Sequence, residues 1–164
     1  MALSKQLLQS GLLRSRSNLS NTPAMAALDQ AKTLANYWAT GMGPGGAGVV
    51  SAAAQGIMQP AFLSTYQSYP AAEAIAARKI AQAVNNGALS LTLAGGVYGS
   101  HISIISPGPM ALAGKLLAIW KAQLPTASEA KREADAYDTF TKTLTANGSG
   151  LPPVPVPPQT GPIV

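Results

Sequence analysis

Residues 88–105 read ALSLTLAGGVYGSHISII, and their reading decides whether the chain is wholly helical. Leu89, Leu91 and Leu93 alternate with small or polar residues, as Ile102 and Ile104 do. A period of two suits two strands, with Gly95-Gly96 between them. A helical pair interrupted at the glycines fits the same letters nearly as well. The stretch also lacks Asp, Glu, Lys and Arg. It lies inside a charge-free run from Ile80 to Gly114, and a second such run spans Thr33 to Ala72.

Working outward, the flanks read as helices. Pro70 opens an alanine-rich helix running to about Asn86, with Gly87 as its stop. Ser106-Pro107 starts another, reaching about Leu124, whose apolar residues occupy most of its circumference and predict a central position. Thr126-Ala-Ser-Glu129 has the form of a capping box. The helix after it carries nearly all the acids. Ala130, Ala134, Tyr137, Phe140 and Leu144 share one face, and Glu129, Arg132, Asp135, Asp138 and Lys142 the other. Its acids, Glu133 among them, alternate with Lys131, Arg132 and Lys142, the pattern of a salt-bridged solvated face.

Upstream, Thr22 can cap a helix that Pro23 opens and Gly41 closes. The glycine-rich segment from Gly41 to Gly48 is a loop. Val49 to Met58 resumes helix, and Pro60 stops it. Ala2 to Leu13 has leucines at helical spacing, including Leu7, Leu8 and Leu12. With three basic residues and no acid before Ser20, this segment is either an amphipathic arm or a presequence of mitochondrial type. The expected class is therefore mainly α, with Gly-rich loops and a small β-hairpin near 88–105. The expected layout is an amphipathic arm over 1–20, a helical domain over 21–148 and an extended arm over 149–164.

That last arm is set by composition. Leu151 to Val164 holds six prolines in fourteen residues, which excludes helix and central strand. An extended, polyproline-like segment reaches about 3.1 Å per residue.

The sequence offers little chemistry. There is no cysteine, so disulfides and thiolate metal sites are excluded. Gly41-Met-Gly43-Pro-Gly45-Gly46 matches the dinucleotide pattern G-x-G-x-x-G in letters only. It follows a helix, contains Pro44, and the next acid is Glu73. His101 is the one histidine, with no acid between Glu73 and Glu129 to orient it. No catalytic, cofactor or metal residue is assigned. A net charge of +5 is spread along the chain without aromatic interleaving, which argues against a specific nucleic-acid ligand.

Charged residues make up 10% of the chain, where a soluble domain averages roughly a quarter. The uncharged runs are built from Gly, Ala, Ser, Thr, Gln and Asn, too polar for ordinary membrane spans. Such surface is expected to be covered by other subunits. The candidate interface residues are Leu7, Leu8 and Leu12 in the first arm and Tyr66 and Tyr69 in the polar middle. In the last arm they are Pro152, Pro153, Val154, Pro155, Val156, Pro157 and Ile163. In its uncharged Gly/Ala-rich middle, absent cysteines and extended tail, the chain resembles small structural proteins of tailed-bacteriophage virions. That resemblance implies a subunit of a ring or lattice at the neck, tail or capsid surface. Its partners would be copies of itself and other structural proteins, with no small-molecule substrate. Its place would be the virion, after assembly in the host cytoplasm. The alternatives are a small membrane-associated or pore-forming protein and a subunit of an organellar (mitochondrial) complex.

Overall fold

The computed structural model describes residues 3–18, 22–68, 72–94, 102–148 and 159–164. The fold is mainly helical, with six α-helices and two small antiparallel sheets among the described residues. The helices are α1 (Lys5–Ser17), α2 (Pro23–Trp38), α3 (Ala52–Gln67), α4 (Glu73–Leu89), α5 (Met110–Lys121) and α6 (Thr126–Lys142). Each packs on the next, and α6 packs back on α1, so the six close into a ring. The strands are β1 (Gly48–Val50), β2 (Thr92–Ala94), β3 (Ile102–Ile105), β4 (Thr145–Gly148) and β5 (Gln159–Pro162).

The ring is a threefold internal repeat. The even helices bury the same positions in turn: 27, 30, 31, 33, 34, 35, 37, 38 and 41 recur 50 residues later, at 77 to 91, and 53 after that, at 130 to 144. Ala31, Ala81 and Ala134 are all buried alanines, as are Ala27, Ala77 and Ala130. In the odd helices Leu8, Met58 and Leu112 are buried equivalents, and so are Leu12, Phe62 and Leu116. The even helices bury eight or nine residues each and the odd ones two to four, which makes the even helices the inner layer.

The repeat extends to single hydrogen bonds. The last carbonyls of a helix have no partner within it. Here a hydroxyl closes each inner helix in the same way. Thr40 Oγ1 donates to the carbonyl of Tyr37 (2.7 Å), Ser90 Oγ to that of Gly87 (2.7 Å), and Thr143 Oγ1 to that of Phe140 (2.6 Å).

After each closure comes a strand segment, a connection and a second strand. The second strand pairs with the first strand of the following repeat. Thus Val50 lies opposite Thr92, and Ile105 opposite Thr145. At the end of the chain Val164 and Met42 exchange both backbone hydrogen bonds, at 2.6 and 3.0 Å. Met42 also bridges to Gly48, so it joins the last repeat to the first. One side of the strands is buried under the inner helices, through Val49, Leu93, Ile104, Ala146 and Ile163.

Several expectations hold. Thr22 caps α2, accepting from the Met25 N–H at 3.3 Å, and Pro23 opens it. The apolar face predicted for α6 is buried throughout. Within 88–105 the strand reading holds for 92–94 and 102–105, whereas Ala88 and Leu89 still belong to α4, and β2 pairs with β1 and β3 with β4 rather than with each other as a hairpin.

Other local rules were overridden by packing. Pro60 does not end α3, which runs on to Gln67. The proline and Gly56, whose carbonyl it leaves free, both face solvent, where water satisfies that group. Gly87 is not a stop. It lies inside α4, where an added Cβ would stand 2.7 Å from Met58 Cγ, so it permits close approach of α3. Predicted to be central, α5 belongs to the outer layer. The capping box does not form, because Thr126 makes no cap and Glu129 turns to Arg16 instead. Nor is α6 a solvated helix, since Glu133 and Asp138 are buried.

Residues 5–17, expected as an arm, form α1 and pack between α2 and α6. Gly11 lets this happen: a Cβ there would sit 2.5 Å from Thr33 Cγ2.

Ile163 tests the closure directly. It is fully buried, and its Cγ2 would lie 3.2 Å from a Cβ on Gly41. Ile163→Ala is expected to destabilise the folded chain by about 2–5 kcal/mol, read as a lower urea midpoint with an unchanged denaturant slope. A midpoint shift near zero would mean that the closing segment does not contribute to the core.

Candidate functional site

The three outer helices end in equivalent residues: Arg16 in α1, Tyr66 in α3 and Trp120 in α5. The repeat explains why they meet. Each approaches the layer formed by Gln30, Ile80 and Glu133, which are equivalent to one another on the inner helices.

Glu133 is the centre of this cluster and is wholly buried. Its Oε1 accepts from Arg16 Nη2 at 2.5 Å and from Trp120 Nε1 at 2.5 Å. Arg16 Nη1 donates to Glu129 Oε1 at 2.7 Å. The hydroxyl of Tyr66 donates to Gln30 Oε1, and Gln30 Nε2 donates to the hydroxyl of Tyr137 at 2.9 Å. Among the described residues Glu133 Oε2 has no partner.

The electrostatics follow from burial. Desolvation pushes the Glu133 carboxyl above the usual carboxylate range, and the Arg16 charge with the Trp120 and Arg16 hydrogen bonds only partly opposes it. Burial lowers the tendency of Arg16 to hold its proton. The charges of Glu133 and Glu129 outweigh that and leave its pKa raised. Tyr137 and Tyr66 are pushed up, first by burial and then by the Glu133 charge.

Two clefts open beside the cluster, and both are lined by Arg16 and Tyr66. One, of about 310 Å³, lies between α3, α4 and α5 and includes Glu73, Ile80 and Trp120. The other, of about 340 Å³, lies between α1, α2 and α3 and includes Leu12, Pro23 and Gln30. At the third equivalent position the Arg16 ion pairs join α1 to α6. The arrangement thus ties α1, α5 and α6 together through one carboxylate.

A second surface feature lies at the strands. Their open side carries no charged residue among the described positions. Its aliphatics recur once per repeat: Val50 is 42% exposed, Ile105 51% and Val164 52%. The charge-free runs in the sequence supply most of this side.

Of the residues expected at interfaces, Leu8, Leu12 and Ile163 are buried in the chain's own core, while Leu7 is exposed. Tyr66 is half-buried in the Glu133 cluster. Tyr69, Pro152, Pro153, Val154, Pro155, Val156 and Pro157, and His101, lie outside the described residues. Sequence reasoning missed Arg16, Gln30 and Glu133 as a group. The signal that could have found them is the equivalence of positions 16, 66 and 120 and of 30, 80 and 133. Among the described residues no group of three or more His, Asp or Glu could hold a metal ion. None of the described helices is long and apolar enough to cross a membrane.

No known protein family matches the chain, and no curated protein or solved structure matches it either.

The cluster has a pH signature. Because the Glu133 pKa is raised in the folded chain, the folded state binds that proton more tightly than the unfolded state does. Ionised Glu133 therefore costs stability above its folded pKa. That cost fades as pH falls toward the unfolded value of about 4.3. Glu133→Gln is expected to raise the urea midpoint at neutral pH, with the gain shrinking on acidification. Arg16→Ala leaves the carboxylate buried without its cation and is expected to cost about 3–5 kcal/mol. Glu133→Gln in the Arg16→Ala background should recover most of that loss. If Glu133→Gln is itself as damaging as Arg16→Ala, the carboxylate stabilises the fold and this account is wrong.

Proposed function

We propose that the chain is a structural subunit of a larger protein assembly, acting through subunit contacts rather than through a reaction. The observation that carries this reading is the uncharged open side of the strands, with an exposed aliphatic at the same place in each repeat. Solvated surface normally carries charge. The centre of a protein interface is depleted of charge and richer in apolar area. The composition of the chain resembles that of tailed-bacteriophage virion proteins, so the proposed setting is the neck, tail or capsid surface of such a particle.

The reading also suits the energetics of the chain. Its core is rich in alanine, which removes little area from water per residue. Association with neighbours stabilises a folded subunit by mass action. A rigid ring of inner helices would hold the strand side flat against a neighbour.

The test is the mass of the native complex together with a double substitution, Val50→Glu with Ile105→Glu. Both positions are exposed in the isolated chain, so helical circular dichroism and the urea midpoint should barely change. Two carboxylates placed in a dry contact are costly without partners. The expected result is loss of the large assembly with the subunit still folded. A wild-type chain that stays a monomer at all concentrations would overturn the assembly reading.

A further inference from the structure

We propose that the cleft of about 310 Å³ between α3, α4 and α5 binds a small organic ammonium ion. Glu73 and Glu129 balance its charge, and Tyr66, Trp120 and Ile80 cover its apolar body. Such a site goes beyond the assembly reading above and does not depend on it.

The two clefts beside the Glu133 cluster are one feature of the repeat, 50 residues apart. Tyr66, Glu73 and Ile80 line the first where Arg16, Pro23 and Gln30 line the second. The following outer helix closes each, through Trp120 in the first and Tyr66 in the second. In the third such place the closing residue is Arg16, whose guanidinium lies on Glu129 and Glu133. Trp120 donates to the same Glu133 oxygen. The fold thus seats an organic cation at one of its three equivalent places, between carboxylates and beside an indole. The second cleft has no carboxylate in its lining, whereas the first has Glu73 and Glu129.

The charges of the first cleft are not part of the shared packing. Glu73 has Pro23 and Thr126 as its equivalents, and Glu129 has Ala26 and Ala76. In a chain with 6 acids against 11 Lys and Arg, Glu73, Glu129 and Glu133 gather around one cleft. Arg16 pairs with Glu129 and Glu133. Glu73 forms no ion pair among the described residues. Glu133 stands directly behind the cleft wall, since both donors to its Oε1, Arg16 and Trp120, line the cleft, and its buried Oε2 has no partner among the described residues. Even without Glu133, the lining sets two carboxylates against one guanidinium, an excess that a further cation offsets. The rings supply the rest. Trp120 Nε1 is tied to Glu133 and the Tyr66 hydroxyl to Gln30, which fixes both rings and leaves their carbon surface to the cleft. Aromatic faces attract cations, and groups fixed beforehand lose little freedom on binding. At roughly 30 Å³ per water, the cleft holds about ten waters or one ion of similar size, at the lower end of small-molecule sites.

The test is calorimetric titration of the full chain with phenethylammonium chloride, beside phenethyl alcohol and phenylpropanoate as neutral and anionic probes of similar shape. The expected result is saturable binding of the ammonium ion, about tenfold or more tighter than either control and weakened by added salt. Glu73 is exposed, so Glu73→Gln should leave the helical circular dichroism and the urea midpoint unchanged. It should weaken ammonium binding about fivefold, the size of one exposed charge contact. No saturable binding up to about 10 mM would overturn the proposal. So would equal binding of the alcohol, or an affinity that Glu73→Gln leaves unchanged. Tighter binding of the phenylpropanoate would make Arg16 the anchor of an anion site and overturn it too.

Discussion

The structure depends on closure of the ring. Each repeat pairs an outer helix, buried along one stripe, with an inner helix buried on most of its surface. No single repeat can cover an inner helix of that kind, because one of the two helices packed on it belongs to the next repeat. Leu34, Val84 and Tyr137 are equivalent and all buried, so removing any one repeat would expose the partners of the other two. The packing of α6 on α1 and the pairing of Val164 with Met42 are therefore conditions for the rest. This separates the fold from an open solenoid, in which each repeat contacts only its neighbours and the ends are capped.

The three repeats are equivalent in backbone but not in chemistry, and the differences collect at one end. Position 30 is glutamine, its equivalent at 80 isoleucine, and that at 133 glutamate. Isoleucine needs no partner. Glutamine finds Tyr66 and Tyr137, and glutamate takes Arg16 and Trp120. Buried polar groups carry a heavy penalty unless paired. An ion pair of this kind is weak evidence of stability, since an apolar replacement of similar volume is often as stable or more so. What it does supply is identity. At the layer position Arg16 meets a carboxylate only on α6, because the equivalents of Glu133 are Gln30 and Ile80.

Much of the local structure was legible in the sequence. The Thr22-Pro23 start, the buried face of α6 and the alternation at 91–93 and 102–104 all follow from spacing and cap chemistry. The repeat was not legible. Its shared residues are mostly alanines, and alanine is so common here that coincidence carries no information. The large residues that would reveal a repeat differ, as at Tyr37, Gly87 and Phe140. The Glu133 cluster was hidden for a related reason. A buried glutamate on a helix with Glu129, Asp135 and Lys142 looks like one more surface charge until its partner, 117 residues away, is known. Pro60 was misread because the rule for proline assumes a buried helix interior, whereas its missing bond faces water.

Charge placement links the fold to the proposed role. The uncharged runs from 33 to 72 and from 80 to 114 cover the ends of α2 and α4, the whole of α3, the start of α5, strands β1 to β3 and the connections between them. They contribute most of the strand end of the molecule. The Arg16, Glu129 and Glu133 groups lie at the other end. Lys5 at the start of α1 and Lys142 at the end of α6 border the strand end, but the strands themselves carry no charge at the described positions. The asymmetry has a physical use if the strand end is dry. There a charge would need a partner, whereas Val50, Ile105 and Val164 need only a surface of matching shape. Three equivalent contacts on one rigid face would also fix the orientation of a neighbour, which a single apolar spot cannot do.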